Sequence, residues 1–336
     1  MTEHVIADPP AEPAPSADAQ RLLRIDGLSV ATGAGADEDC AHPLQGVSID
    51  IARGSLVGLV GESGSGKSMT SMAILGMLPP GLRVTAGSID FDGRDLLALS
   101  EKQLRAVRGE AISIVFQNPK SSLNPVMKVG EQIAELMRIH EGLSKQRARA
   151  AAVELLDAMG IPNAAKRAQD YPHQYSGGMA QRAALARAMA CSPKLLIADE
   201  PTTGLDATVQ EEVLDLLVRS VRERDASLLL VSHDMRVIRA TCDRTIVMYA
   251  GMVLESGPTD AVLGTPRSPY TQALVDCFEV TARGRVNSIP GAAPMVLEAH
   301  VGCPFAPRCT LAEERCRESV PQLEQREGRW VACHVR

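Results

Sequence analysis

Aromatic residues are scarce in this chain: Phe, Trp and Tyr make up 3% of its 336 residues, and Trp occurs once. A core with so few rings must be built mainly from Leu, Val, Ile, Ala and Met, and near-ultraviolet signals should be weak. No stretch approaches the roughly 18 consecutive apolar residues of a membrane-spanning helix, so any hold on a membrane has to come through a partner. A basic excess is missing as well, and the formal net charge of −6 argues against a chain whose main task is gripping nucleic acid. Met1 to Gln20 is acidic and rich in Pro and Ala, without the basic start and apolar stretch of a signal peptide. It reads as a disordered tail, and the chain as cytoplasmic. What is present, 45% hydrophobic residues, suffices for one large domain or two smaller ones.

Eight cysteines in a chain with no export signal should stay reduced, so a cluster of them points to metal rather than disulfides. Cys40, Cys191, Cys242 and Cys277 are scattered and read as small buried hydrophobes. Cys303, Cys309, Cys316 and Cys333 cluster near the C-terminus with gaps of five, six and sixteen residues. That is enough thiolates for one tetrahedral zinc site or one [4Fe–4S] cluster, and spacing alone does not choose between them or exclude unmetallated cysteines. Six Arg against five Glu from Cys303 onward do not make a basic nucleic-acid face.

Leu22 to Val30 and the alternating Val47-Ser48-Ile49-Asp50-Ile51 predict an antiparallel hairpin, with Ala31 to His42 as its loop. Ser55 to Val60 is a buried-strand run that opens through a Gly-rich loop into a helix over Ser68 to Leu78. Ala111 to Phe116, Leu195 to Ala198, Ser227 to Val231 and Arg244 to Met248 add short apolar strands, so the fold class is α/β. The pattern from Gln117 to Met189 is almost wholly helical and predicts an inserted helical subdomain. Prolines at 258, 266 and 269 mark the end of the core, giving a main domain over 21–259 and a small Cys-rich C-terminal domain over 260–336. The glycine loop occurs once and no internal repeat is visible.

Gly61-Glu62-Ser63-Gly64-Ser65-Gly66-Lys67-Ser68 fits G-x-x-x-x-G-K-[ST] between a predicted strand and a predicted helix, the context that gives the motif its meaning. Glycines let successive backbone N–H groups face phosphate oxygens, and the helix N-terminus adds partial positive charge. Lys67 should neutralise the β- and γ-phosphates, and Ser68 should ligate Mg²⁺. Leu195 to Glu200 is a strand ending in two carboxylates. Asp199 is expected to serve Mg²⁺ and Glu200 to polarise an attacking water as general base.

Phe116-Gln117-Asn118-Pro119, Tyr175-Ser176-Gly177-Gly178-Met179-Ala180-Gln181-Arg182, Pro201-Thr202-Thr203-Gly204-Leu205-Asp206 and Val231-Ser232-His233-Asp234 resemble, in this order, the ATP-binding-cassette ATPases over about Arg21 to Gly257. The resemblance implies a P-loop NTPase (RecA-like) core with an antiparallel β subdomain and the helical insertion. It implies that Gln117 reaches Mg²⁺ and the attacking water while linking to membrane subunits, and that His233 contacts the γ-phosphate. It further implies that Ser176, Gly177 and Gly178 face the γ-phosphate held by a second ATPase subunit, with Asp206 in the loop crossing between the two. Tyr175, Met179 and Gly204 depart from the commonest residues of these motifs. The family also stacks an aromatic on adenine from the loop after the first strand, and Val30-Ala31-Thr32 offers none, so adenine should be held differently or less tightly.

Tyr175 to Met179, Leu196 to Thr203, Pro266-Arg267-Ser268-Pro269-Tyr270-Thr271-Gln272-Ala273-Leu274, Ile289-Pro290-Gly291, Gly302 to Cys309, Cys316 and Val331-Ala332-Cys333-His334 resemble the dipeptide and oligopeptide importer ATPases. That branch implies peptide uptake energised from the cytoplasmic face of the membrane. Its expected partners are two membrane permease subunits, a related ATPase chain in a heterodimer, and indirectly an extracytoplasmic solute-binding protein. It also implies that the four C-terminal cysteines hold [4Fe–4S]. Nickel, metallophore and glutathione importers share much of this pattern, because the solute is selected by other subunits. A soluble cassette ATPase acting on nucleic acid would be expected to carry two cassettes or long heptad runs, and neither is present.

Overall fold

The computed structural model describes residues 21–32, 41–278, 288–294 and 299–336. The expected disordered tail over Met1 to Gln20, Cys40 and most of the loop from Ala31 to His42 lie outside the described residues. Twelve strands in the described residues form two sheets. In the first, β1 (Arg21–Thr32) pairs antiparallel with both β2 (Leu44–Ala52) and β4 (Leu82–Phe91), and β4 carries the short β5 (Arg94–Asp95). The hairpin pattern therefore belongs to a four-stranded sheet whose order is β2-β1-β4-β5. The apolar alternation of β4 changes phase across its exposed middle, Leu82 and Val84 on one side and Ile89 and Phe91 on the other.

The second sheet is built around β3 (Leu56–Val60), β6 (Ile112–Val115), β7 (Leu195–Asp199), β8 (Ser227–Val231) and β9 (Arg244–Tyr249), which run parallel in the order β9-β3-β8-β7-β6. Strands covered on both faces need apolar residues along their length, which is why β3, β7 and β8 are buried throughout and apolar except for Asp199 at the end of β7 and Ser227 at the start of β8. Their side chains nevertheless divide with period two. Leu196, Ala198, Leu228, Leu230, Val247 and Tyr249 join one core. Leu195, Ile197, Leu229, Val231, Ile246 and Met248 join the other, against the antiparallel sheet. The first core is closed by helices in the interval between β6 and β7, chiefly Val129–His140, Lys145–Ala158 and Gly177–Met189.

The C-terminal residues add to this sheet. β10 (Met252–Pro258) turns back antiparallel on β9, and the hairpin of β11 (Glu324–Arg326) and β12 (Arg329–Val331) pairs with β10. Arg329 donates to the fully buried Glu255 and to the carbonyls of Ala261 and Thr265, while Glu255 accepts from the backbone N–H groups of Arg267 and Ser268. A buried carboxylate satisfied in this way is costly to break on either side. Phe305 and Ala332 lie in the same core as the parallel strands.

Candidate functional site

The chain leaves β3 at Val60 and turns at Gly61, where a Cβ would lie 2.1 Å from the Met248 carbonyl oxygen. Gly66, at φ 101°, caps the helix Lys67–Ile74, and a Cβ there would press within 2.8 Å of Leu44. Both positions need glycine, and they set the path of the loop into the helix N-terminus. Ser63 to Ser68 line a cleft of about 550 Å³. Across it stand Gln117, Glu200, Thr203 and His233, with Pro43 at the edge. The parallel order puts these groups together: the C-terminal ends of β3, β6, β7 and β8 lie side by side, and the loops leaving them carry the site.

Lys67 is buried, and its ammonium donates to the carbonyls of Gly61 (2.8 Å) and Glu62 (2.9 Å). Burial pulls its pKa down, against the upward pull of Glu200, Asp199 and Glu62. Asp199 ends β7 at 6% exposure. Burial pushes its carboxyl up, Ser68 bonds to it, and its Oδ1 has no hydrogen-bond partner. Glu200 adopts φ 47°, a left-handed conformation that costs a non-glycine residue about 1–3 kcal/mol. Its N–H is tied to the Val231 carbonyl (2.9 Å). Its Oε2 accepts from Gln117 Nε2 (2.9 Å) and Thr203 Oγ1 (3.0 Å), and its Oε1 lies 3.2 Å from His233 Nδ1.

Ser176, Gly177, Gly178 and Asp206 stand outside this cleft. Ser176 caps the helix Gly177–Met189 by accepting from Met179 N–H, and Asp206 caps Ala207–Arg222 by accepting from Val209 N–H. These two helix starts meet: a Cβ on Gly178 would fall 2.8 Å from Val209. Glu62 is the phosphate-loop member whose carboxylate points elsewhere, to Arg308. No local sequence pattern points to a site role for Pro43, Tyr270 or Arg308. Only Thr203, three residues past Glu200, carried a usable signal, since that spacing returns a hydroxyl to the carboxylate in a tight turn.

The C-terminal cysteines Cys303, Cys309, Cys316 and Cys333 line one small cavity of about 20 Å³ together with His334. Burial raises the Cys303 thiol to about 11, with Cys316 and Cys333 adding to the shift, and Cys309 is raised for the same reasons. Among the described residues no group of three or more Cys, His, Asp or Glu is placed to hold a metal ion. The expected ligand set is thus gathered by the fold without forming a single-ion site. His334 bonds through Nε2 to the Ser319 carbonyl.

A phosphate loop after a central parallel strand, with an acid pair at the end of another, defines a P-loop nucleotide hydrolase. Residues 44–203 match the ABC transporter family, and residues 254–316 match the C-terminal region of oligopeptide/dipeptide transporters. The chain is 43% identical over 317 residues to the dipeptide transport ATP-binding protein DppD of Escherichia coli, covering 93% of this chain and 96% of that one. It is 45% identical over 318 residues to a putative peptide import ATP-binding protein of Brucella melitensis, covering 90% and 94% respectively. Among solved structures, the ATP-binding cassette MJ0796, captured as a dimer bound to ADP and Pi, superposes with a TM-score of 0.63 at 27% identity over 71% of this chain and 99% of that one. The cbiO1 cassette from Clostridium perfringens, part of the cbiONQ transporter complex, gives 0.61 at 27% identity over 73% and 92%. The chain belongs to the ATP-binding subunits of the ABC transporter family, in the oligopeptide and dipeptide branch.

Proposed function

We propose that this chain hydrolyses ATP to drive a peptide importer, docked on the cytoplasmic face of the membrane against two permease subunits and paired with a second cassette ATPase. The observation that carries the reading is the placement of Glu200, tied to Gln117, Thr203 and His233, across the cleft from Lys67. Loop N–H groups and Lys67 bind the β- and γ-phosphates. Glu200 accepts a proton from the water as it attacks the γ-phosphate, and Gln117 and His233 orient that carboxylate. The unpartnered Oδ1 of Asp199 beside Ser68 fits a Mg²⁺ site, and Mg²⁺ would supply charge neutralisation on the phosphates. Ser176 caps a helix that Gly177 and Gly178 begin, and none of the three lines the chain's own cleft, in keeping with service to the γ-phosphate of the opposite ATPase. Asp206 begins the helix packed against it. The dimeric MJ0796 cassette supports this pairing. Pro43 is the chain's candidate for the adenine contact that an aromatic makes elsewhere in the family.

The four C-terminal cysteines fit a cluster in kind, being thiols around one cavity. The peptide assignment is tested with the chain assembled with its permeases in vesicles. ATP turnover should rise when solute-binding protein loaded with dipeptide or oligopeptide is added outside. Stimulation only by nickel-, metallophore- or glutathione-loaded binding protein would overturn it.

A further inference from the structure

Glu62 is anchored to the C-terminal residues twice. Its carboxylate accepts from Arg308 Nη1 (2.6 Å) and Nη2 (3.0 Å), a forked pair, and the Arg308 side chain is 6% exposed. The same guanidinium donates to the carbonyls of Pro290 (2.8 Å) and Ile289 (3.1 Å) and to the Tyr249 hydroxyl (3.1 Å), so its orientation is fixed from several sides. The second anchor is the Glu62 N–H, which donates to the Tyr270 hydroxyl (2.9 Å). Tyr270, Tyr249 and Phe305 pack ring against ring with centroids 4.5 to 5.4 Å apart, and Phe305 leads into the turn Ala306–Arg308.

These contacts converge on one peptide plane. In a trans peptide the C=O and N–H point in opposite directions. The plane joining Gly61 to Glu62 has Lys67 Nζ on its carbonyl and Tyr270 on its N–H. The tilt of that plane sets the path of the loop into Ser63. Without Arg308 the carboxylate of the same residue would lose its guanidinium partner and leave a negative charge within the phosphate loop itself.

We propose that Arg308 is a positioning residue for ATP: by clamping and neutralising Glu62 it holds the phosphate loop in its binding shape, so the C-terminal segment is a working part of the nucleotide site. Arg308 acts through Glu62 and touches no reacting atom. The proposal rests on the ATPase reading of the cleft.

The experiment compares full-length Arg308→Gln, Arg308→Lys and Arg308→Gln/Glu62→Gln with wild type, measuring MgATP affinity by equilibrium fluorescence and KM against kcat. Trp330, the single Trp, sits in β12 and reports whether the tail stays folded. Arg308→Gln should raise the KM and Kd for MgATP about tenfold, within the range of typical coupling between sites, with kcat changed less than about twofold. Arg308→Lys should recover part of the loss. Removing the freed charge in the double variant should bring Kd part of the way back, leaving the share of the loss that comes from the missing clamp. Unchanged affinity in Arg308→Gln would overturn the proposal. So would a double variant as weak as the single one, or an affinity loss that tracks unfolding at Trp330. Wild-type protein that binds no MgATP would instead sink the ATPase reading itself.

Discussion

Replacing Asp199 by Asn should stabilise the protein without nucleotide and destabilise it, relative to wild type, with nucleotide. Asp199 is 6% exposed, has an oxygen without a partner, and is pushed up chiefly by burial, with Glu200 adding to the shift against the hydrogen bond from Ser68. A buried acceptor left unmade costs about 1–3 kcal/mol, more when it is charged. Asn keeps the shape and loses the charge, so the gain should be about 1 kcal/mol, or roughly 2 °C in Tm for a chain of this size. Since the folded carboxyl is raised, wild type is favoured at low pH and loses that contribution as pH rises through the folded pKa; the advantage of Asn should grow with pH through and above the carboxylate range. Excess MgATP at about a hundredfold over Kd adds roughly 2.7 kcal/mol to a protein that binds it. Wild type should receive this, and Asp199→Asn, lacking a metal ligand, should receive little. Thermal unfolding in EDTA and in MgATP should therefore show the two curves exchange order. An Asn variant that melts below wild type in EDTA would refute the assignment of Asp199 as a carboxylate kept for a cation.

Glu200→Gln should leave MgATP binding intact while kcat falls about 10²–10⁴-fold, the usual worth of a general base, and should trap ATP-bound dimers visible by size exclusion; normal turnover would remove Glu200 from that role. Gly58→Ala should cost about 1–3 kcal/mol in urea unfolding, because a Cβ there lies 2.6 Å from Ile238 in a filled core. Cys309→Ser, purified without oxygen beside wild type, should lose the iron, sulfide and visible absorption expected of wild type if the four thiols hold [4Fe–4S]. Equal metal content in the two would discard Cys309 as a ligand.

The phosphate loop, the acid pair after β7 and the strands β3, β7, β8 and β9 were legible in the sequence, because each is a local pattern: a glycine spacing, or an apolar run of strand length. β4 and the joining of β11 and β12 to β10 were not. A strand whose alternation changes phase in an exposed middle, or one that runs for three residues, carries too little periodicity to stand out, and its pairing is decided by residues far away in the chain. The identities of Lys67, Asp199, Glu200 and His233 were written in motifs, but only the parallel strand order set Lys67, Glu200 and His233 around one cleft and brought Asp199 to Ser68. Arg308 and Tyr270 lie more than 200 residues beyond Glu62, and no local pattern joins them to it. That contact exists because β10 turns the C-terminal residues back along the core sheet, bringing a buried guanidinium to the one phosphate-loop side chain that can pair with it.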